Sequence, residues 1–214
     1  MASVQDMIDE MNDHGFTDTS VTRKVALLND TVWDICSREP WPFLERSVTL
    51  DFDGTNAQPT NFPTDFRSLL SLVRTDNGDA LDPERYDVMQ RKYGETLGDA
   101  GQPVAYYFLG NTLNIYYVPA ANVTLRMEYL SNHPELTSSS VETDFLIPRE
   151  HHRAILLGTL YKLYDMDDDY DIGASFQAQY EDRILKMRNQ LWVRQYDRPD
   201  RIYGIDDFDL QFLS

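Results

Sequence analysis

The sequence predicts an α+β protein: an antiparallel helical bundle built from the N- and C-terminal segments, with a mainly antiparallel β module inserted between them. Three observations carry this expectation. Apolar residues recur at helical spacing before Pro40 and again after Pro148, while the stretch between them alternates apolar and polar residues in short runs broken by Gly, Pro and Asn. Each terminal helix pair would expose an apolar stripe, and packing the two pairs together covers both. The expected boundaries are 1–44 and 146–196 for the bundle, 45–145 for the insert and 197–214 for a C-terminal arm.

Ser3 is placed to cap a first helix whose Val4, Met7, Ile8 and Met11 fall on one face, ending at Gly15. Thr19 or Ser20 starts a second helix, with Val21, Val25, Leu28, Val32 and Ile35 along one side until Pro40 and Pro42 stop it. Ser47–Phe52 alternates as a strand, and 54–63 is a polar loop. Phe66–Arg74 reads as a short helical turn leading into a strand that Asp76-Asn77-Gly78-Asp79 reverses, and Pro83–Tyr93 as a helix entered through proline. Ala105–Leu109, Thr112–Val118 and Val123–Leu130, separated by Gly110-Asn111 and by 119–122, suit an antiparallel meander. After a polar connector at 131–143, Ile155, Leu156, Thr159, Leu160, Leu163 and Tyr164 give a helix a broad apolar face. An Asp-rich turn at 165–171 separates it from a last helix, about Ile172–Val193, which carries Phe176, Tyr180, Ile184, Met187, Leu191 and Trp192 on one side.

The 214 residues include 19 basic and 36 acidic side chains, a formal charge of −17 that repels phosphate backbones and anionic lipid. A conventional nucleic-acid-binding domain is therefore disfavoured. No apolar run approaches the roughly 20 residues that cross a bilayer, and the acidic start lacks the basic region of a signal peptide, so neither secretion nor a membrane span is expected. Cys36, the single cysteine, has no disulfide partner within the chain and reads as a small helix residue suited to a reducing compartment. The acids are 26 Asp and 10 Glu, the bases 15 Arg and 4 Lys. Such a surface suits concentrated salt and points to a halophilic source, although a G+C-rich genome would also favour Arg over Lys.

Catalytic signatures are missing: the chain contains no G-x-S-x-G, H-E-x-x-H, G-x-x-x-x-G-K-[ST] or G-x-G-x-x-G. Neighbours on a helix diverge by about 100°, so His151 and His152 are wrong for joint metal binding and are expected to cap the helix or face solvent. Asp165, Asp167 and Asp169 have the first three ligand spacings of an EF-hand, but Tyr170 stands where glycine is needed and Phe176 where a bidentate Glu is needed. A solvated acidic turn is the better reading, and no metal or cofactor is expected. Between residues 183 and 201, six basic residues face two acidic ones. Basic residues near a helix C-terminus complement its dipole. In an assembly of identical acidic copies, Arg183, Lys186, Arg188 and Arg194 of one could also meet Asp167, Asp168 and Asp169 of the next.

Three stretches point to a family: Ser37–Glu45 (SREPWPFLE) after the opening helices, Tyr106–Leu130 (YYFLGNTLNIYYVPAANVTLRMEYL), and Phe145–Arg188, with its acidic turn between two helices. In these and in the order of elements, over about residues 18–196, the chain resembles the head-to-tail adaptor, or connector, proteins of tailed viruses, among them the tail tubular protein A-like adaptors. The resemblance implies a structural virion protein made in the host cytoplasm and placed at the head–tail junction. It implies a ring, usually of twelve copies, beneath the portal protein, with the next tail component (a stopper, terminator or nozzle) below. Genomic DNA would pass through the lumen without specific binding, and no membrane is involved. The family's C-terminal segment commonly docks on the portal, which here implies a docking arm bearing Tyr203, Ile205, Phe208, Leu210 and Phe212. Two alternatives stay open: an acidic DNA-mimic inhibitor, and a carbohydrate-active enzyme using an unidentified carboxylate pair.

Overall fold

A computed structural model of the chain describes residues 3–93, 101–119 and 123–196, apart from the side chains of 92, 93 and 192–196. In chain order the elements are α1 (Val4–Asp13), α2 (Val21–Arg38), β1 (Glu45–Asp51), β2 (Phe66–Arg74), β3 (Asp82–Pro83), α3 (Tyr86–Tyr93), β4 (Ala105–Leu109), β5 (Thr112–Tyr116), β6 (Thr124–Ser131), α4 (His152–Met166) and α5 (Tyr170–Tyr196). The fold is α+β with two mostly antiparallel sheets. It divides into two compact units, residues 1–43 with 133–214 and residues 44–132. Residues 133–145, expected in the insert, thus belong with the helices, while the expected arm at 197–214 lies outside the described residues.

In the helical unit, local chemistry sets the helix starts. Ser3 Oγ accepts from the Asp6 N–H and the Asp6 carboxylate accepts from the Ser3 N–H, each at 3.1 Å, a reciprocal cap for α1. Ser20 caps α2 through the Arg23 N–H at 3.3 Å. Val4, Met7, Ile8 and Met11 are buried as their spacing requires. The inner face of α2 is displaced from the expected one: Val21 is exposed, and Lys24, Leu27 and Thr31 join Leu28, Val32 and Ile35 inside. Lys24 is buried because its ammonium donates to Asn12 Oδ1 at 2.5 Å near the end of α1.

Most of α4 is buried around its circumference, from His152 through Leu163, and it packs against both α2 and α5. Gly158 is the point of closest approach. A Cβ there would lie 2.6 Å from Thr31 Cγ2 and 3.0 Å from the Tyr180 ring, so α2 and α5 can both press on α4 only because this residue has no side chain. Thr159 Oγ1 also donates to Thr31 Oγ1 at 3.3 Å. The 27-residue α5 spans about 40 Å. Tyr180, Ile184, Met187 and Leu191 form its buried seam, and Phe176 stacks on Tyr164 at 5.3 Å.

The expectation that the two histidines cap the helix or face solvent is met only in that His151 stands at the N-cap position of α4, without a side-chain cap bond. His151 and His152 are both buried, His152 with Nε2 2.9 Å from the Ile147 carbonyl and its ring 4.5 Å from that of Phe145. The physical reason lies in the approach to α4, where Pro148 leads into a 3-10 turn, Arg149–His151, that folds this end of α4 against the Phe145–Ile147 segment.

In the β unit the expected meander is also corrected. Only β4 and β5 form a hairpin, while β6 is the central strand of the other sheet, in the order β1-β6-β2. Both neighbours run antiparallel to β6, whose Leu125, Met127, Tyr129 and Leu130 are buried. β2 is strand throughout, without a helical turn; register shifts between Phe66 and Ser68 and between Leu69 and Ser71 disturb its alternation and imitate a helical spacing. Asp82–Pro83 pairs in parallel with β4, so α3 starts at Tyr86 and not at Pro83. One core, including Leu50, Leu72, Leu113, Ile115, Leu125 and Met127, is shared by the two sheets. Met89 of α3 packs with Ala105, Tyr107 and Tyr116 of the β4–β5 hairpin.

Candidate interaction surfaces

The acidic turn between α4 and α5 is built by backbone hydrogen bonds. The Asp167 N–H donates to the Leu163 and Tyr164 carbonyls, and the Asp169 N–H to Tyr164, at 3.0 to 3.2 Å. Asp168 takes the left-handed conformation, φ 59°, which a short polar side chain tolerates better than most. Its carboxylate accepts from the Tyr170 hydroxyl at 2.7 Å, a bond that raises the phenol pKa. Asp167 and Asp168 are exposed and Asp169 is half-buried, and among the described residues none of the three is in an ion pair; Met166, Tyr170 and Ile172 are exposed beside them. The described residues include no group of three or more His, Cys, Asp or Glu side chains arranged to hold a metal.

The basic candidates on α5 are not equivalent. Lys186 pairs with Asp182 one turn earlier at 2.5 Å, and Arg188 reaches Glu39 at the end of α2 at 3.4 Å. Arg183 is exposed and has no ion-pair partner among the described residues. The side chain of Arg194 and all of Tyr203, Ile205, Phe208, Leu210 and Phe212 lie outside what is described.

A charged cluster missed by sequence reasoning ties α2 to α5. The Arg38 guanidinium makes two bonds to Glu181, at 2.7 and 2.9 Å, and also bonds Asp34; its carbon sits 5.1 Å from the Tyr180 ring centroid. Tyr180 donates to Asp34 at 2.6 Å. Burial pushes the Asp34 carboxyl up, but the hydrogen bonds from Tyr180 and Arg38 outweigh it and hold the pKa below the ordinary value. Tyr180 moves the other way, raised by burial and by the same bond. Lys162 of α4, facing Asp30 and Asp34, is lowered by burial against their attraction.

Two further features belong to the outer faces. Trp33, on the solvent side of α2, is 72% exposed, and Leu185 of α5 is 54% exposed. The Asn29 carboxamide, one turn before Trp33, bonds both the N–H and the carbonyl of Leu136 at 2.8 and 2.9 Å, holding the 133–141 segment beside α2. In the β unit a cleft of about 380 Å³ is lined by Phe62, Pro63, Thr64, Phe66, Arg67, Asn111 and Asn132, without a carboxylate among them.

Among the described residues, the helical unit presents exposed apolar side chains such as Trp33 and Leu185 beside charges in no ion pair, Arg183, Asp167 and Asp168. The chain belongs to the SU10 adaptor protein family, whose model matches residues 2–203. This agrees with the head–tail adaptors of tailed viruses. The match takes in α1 and runs past α5, wider than the resemblance legible in the sequence. A search of curated proteins gives no match. Proteins of this structural class are generally not enzymes, and no described helix is long and apolar enough to cross a membrane.

Proposed function

We propose that this chain joins capsid to tail as a ring of identical copies beneath the portal, through which the genome passes. The observation that carries the reading is the family match over residues 2–203. Four helices of one unit, drawn from both ends of the chain, act as a bundle that meets neighbouring copies and the portal, and the β unit acts as its insert. The C-terminal arm, with Tyr203, Ile205, Phe208, Leu210 and Phe212, docks on the portal. Burying one large apolar side chain contributes about 1.5–3 kcal/mol, so several per copy, repeated around a ring, would hold the joint. Arg183 and the Asp167–Asp169 turn are inter-subunit surfaces, with Lys186, Arg188 and Arg194 adding positive potential. An acidic lumen suits a DNA channel, because neutralising phosphates releases counterions and adds affinity, hence friction. The same excess of Asp suits a halophilic host.

Co-sedimentation of the purified chain with portal protein tests this. The full chain should bind the portal, and a chain lacking Tyr203–Ser214 should keep its helical circular dichroism yet lose attachment. Retained attachment would refute the arm assignment, and failure of the full chain to bind would refute the portal-joining role.

A further inference from the structure

Two outer faces of the helical unit complement each other. On α2, Trp33 is flanked by Asp30, three residues earlier and exposed, which lies between the Trp33 face and the side of α2 that meets α5 and also attracts Lys162 of α4. Glu135, also exposed, adjoins the Leu136 backbone that Asn29 holds one turn from Trp33. An exposed indole beside carboxylates is a seat for a guanidinium, which can stack on the ring and pair with the acid. Tryptophan and arginine are also the residue types that most often dominate protein interfaces.

Arginines are largely committed within the chain: Arg38, Arg74, Arg85, Arg91, Arg153 and Arg188 each hold a carboxylate. Arg183 is the exception on the described part of α5. It shares a stripe with exposed Ile172, Gln179 and Gln190, which lie within about 40° of it around the helix. The position of the stripe follows from the residues that touch α2. Glu181 and Arg188 face Arg38 and Glu39, and at about 100° per residue Arg183 lies roughly 140–160° around α5 from them. On α2, Trp33 lies about 100–140° from Asp34 and Arg38, which face α5. The two faces thus lie on opposite flanks of the α2–α5 pair. One copy cannot bring them together, whereas head-to-tail neighbours can, and a repeated contact of this kind generates a ring.

We infer that the Trp33–Asp30 face of α2 in one copy receives the Arg183 face of α5 in the next. This inference rests on the ring reading and names its contact; the occupant is a second copy of this chain.

The test uses the full chain, assembled by raising its concentration or by adding portal protein, with mass read by native mass spectrometry. Trp33→Ala and Arg183→Glu should each weaken assembly at least about tenfold. Mixed one to one, the two variants should form a heterodimer and stop there, since only one intact contact can form. The swap Asp30→Arg with Arg183→Asp should restore part of the assembly that Arg183→Asp removes. If wild type assembles and both single variants do so equally well, the named faces are wrong and the ring reading survives. If wild type remains monomeric at every concentration and with portal present, the ring reading falls and the inference falls with it.

Discussion

The helical and β units solve the problem of burial differently, and the difference shows where partners can attach. The β unit places two sheets over a common apolar core and covers one face of its hairpin with α3. Its exposed large apolar residues, among those described, are Leu70, Val104 and Leu109. The helical unit surrounds α4 but leaves Val21, Trp33, Val141, Met166, Tyr170, Ile172 and Leu185 in solvent. It also carries 24 acidic and 12 basic residues, against 12 and 7 in the β unit. Unsatisfied apolar surface and uncompensated charge therefore gather in the same unit, which is the one expected to meet other virion chains.

The comparison can be broken most forcefully from the core. Trp41 is buried with its indole N–H donating to the Ile35 carbonyl at 2.6 Å, so Trp41→Ala should destabilise the helical unit by about 3–5 kcal/mol. Leu125→Ala should cost the β unit about 2–5 kcal/mol. Hydrogen exchange resolved along the chain should show protection lost first in the unit carrying the substitution. A smaller effect, about 1–3 kcal/mol, is expected for Gly158→Ala, because the added methyl must displace the Thr31 methyl or the Tyr180 ring. Denaturant unfolding indistinguishable from wild type would mean that α2 and α5 do not both press on α4.

A pH dependence sharpens the contrast further. His133 Nε2 accepts the Leu146 N–H at 3.0 Å while Nδ1 faces the Pro134 carbonyl at 2.7 Å, an arrangement that requires the neutral ring. Burial lowers its pKa below 6.5, against the pull of the Pro134 carbonyl. Because the folded form binds the proton less readily than the unfolded form, this contribution is complete above pH 6.5 and is lost as pH falls towards the folded pKa. The helical unit should weaken as pH falls below about 6.5, and His133→Asn should reduce that slope. An unchanged slope would remove His133 as its source. The smallest effect is expected at Glu181→Gln. Its ion pair with Arg38 is about half exposed on the glutamate side, so the change should cost no more than about 1 kcal/mol.

Features encoded within a few residues were legible in the sequence. The Ser3 cap, the four buried residues of α1, the turn at Gly110 and the buried seam of α5 follow from spacing or from a single residue's chemistry. Pairings between distant segments were not. Nothing local tells Thr124–Ser131 to lie between β1 and β2 instead of beside β5, and the irregular register of Phe66–Arg74 disguises a strand. His151 and His152 were misplaced because their burial depends on the Phe145–Ile147 segment before the helix. Of the candidate surface, the Lys186–Asp182 pair was readable from its four-residue spacing, whereas Arg188 reaches across to Glu39. Trp33 could have been flagged on a helical wheel, since it falls about 140° from Leu28, but the apolar stripe drew attention to the opposite side.

Density imaging of intact virions, averaged about the tail axis, tests the adaptor assignment most directly. It should place closed rings of this chain between portal and tail, with the helical unit at the contacts between copies. Virions whose junction is fully accounted for by other proteins, with this chain elsewhere or missing, would contradict it.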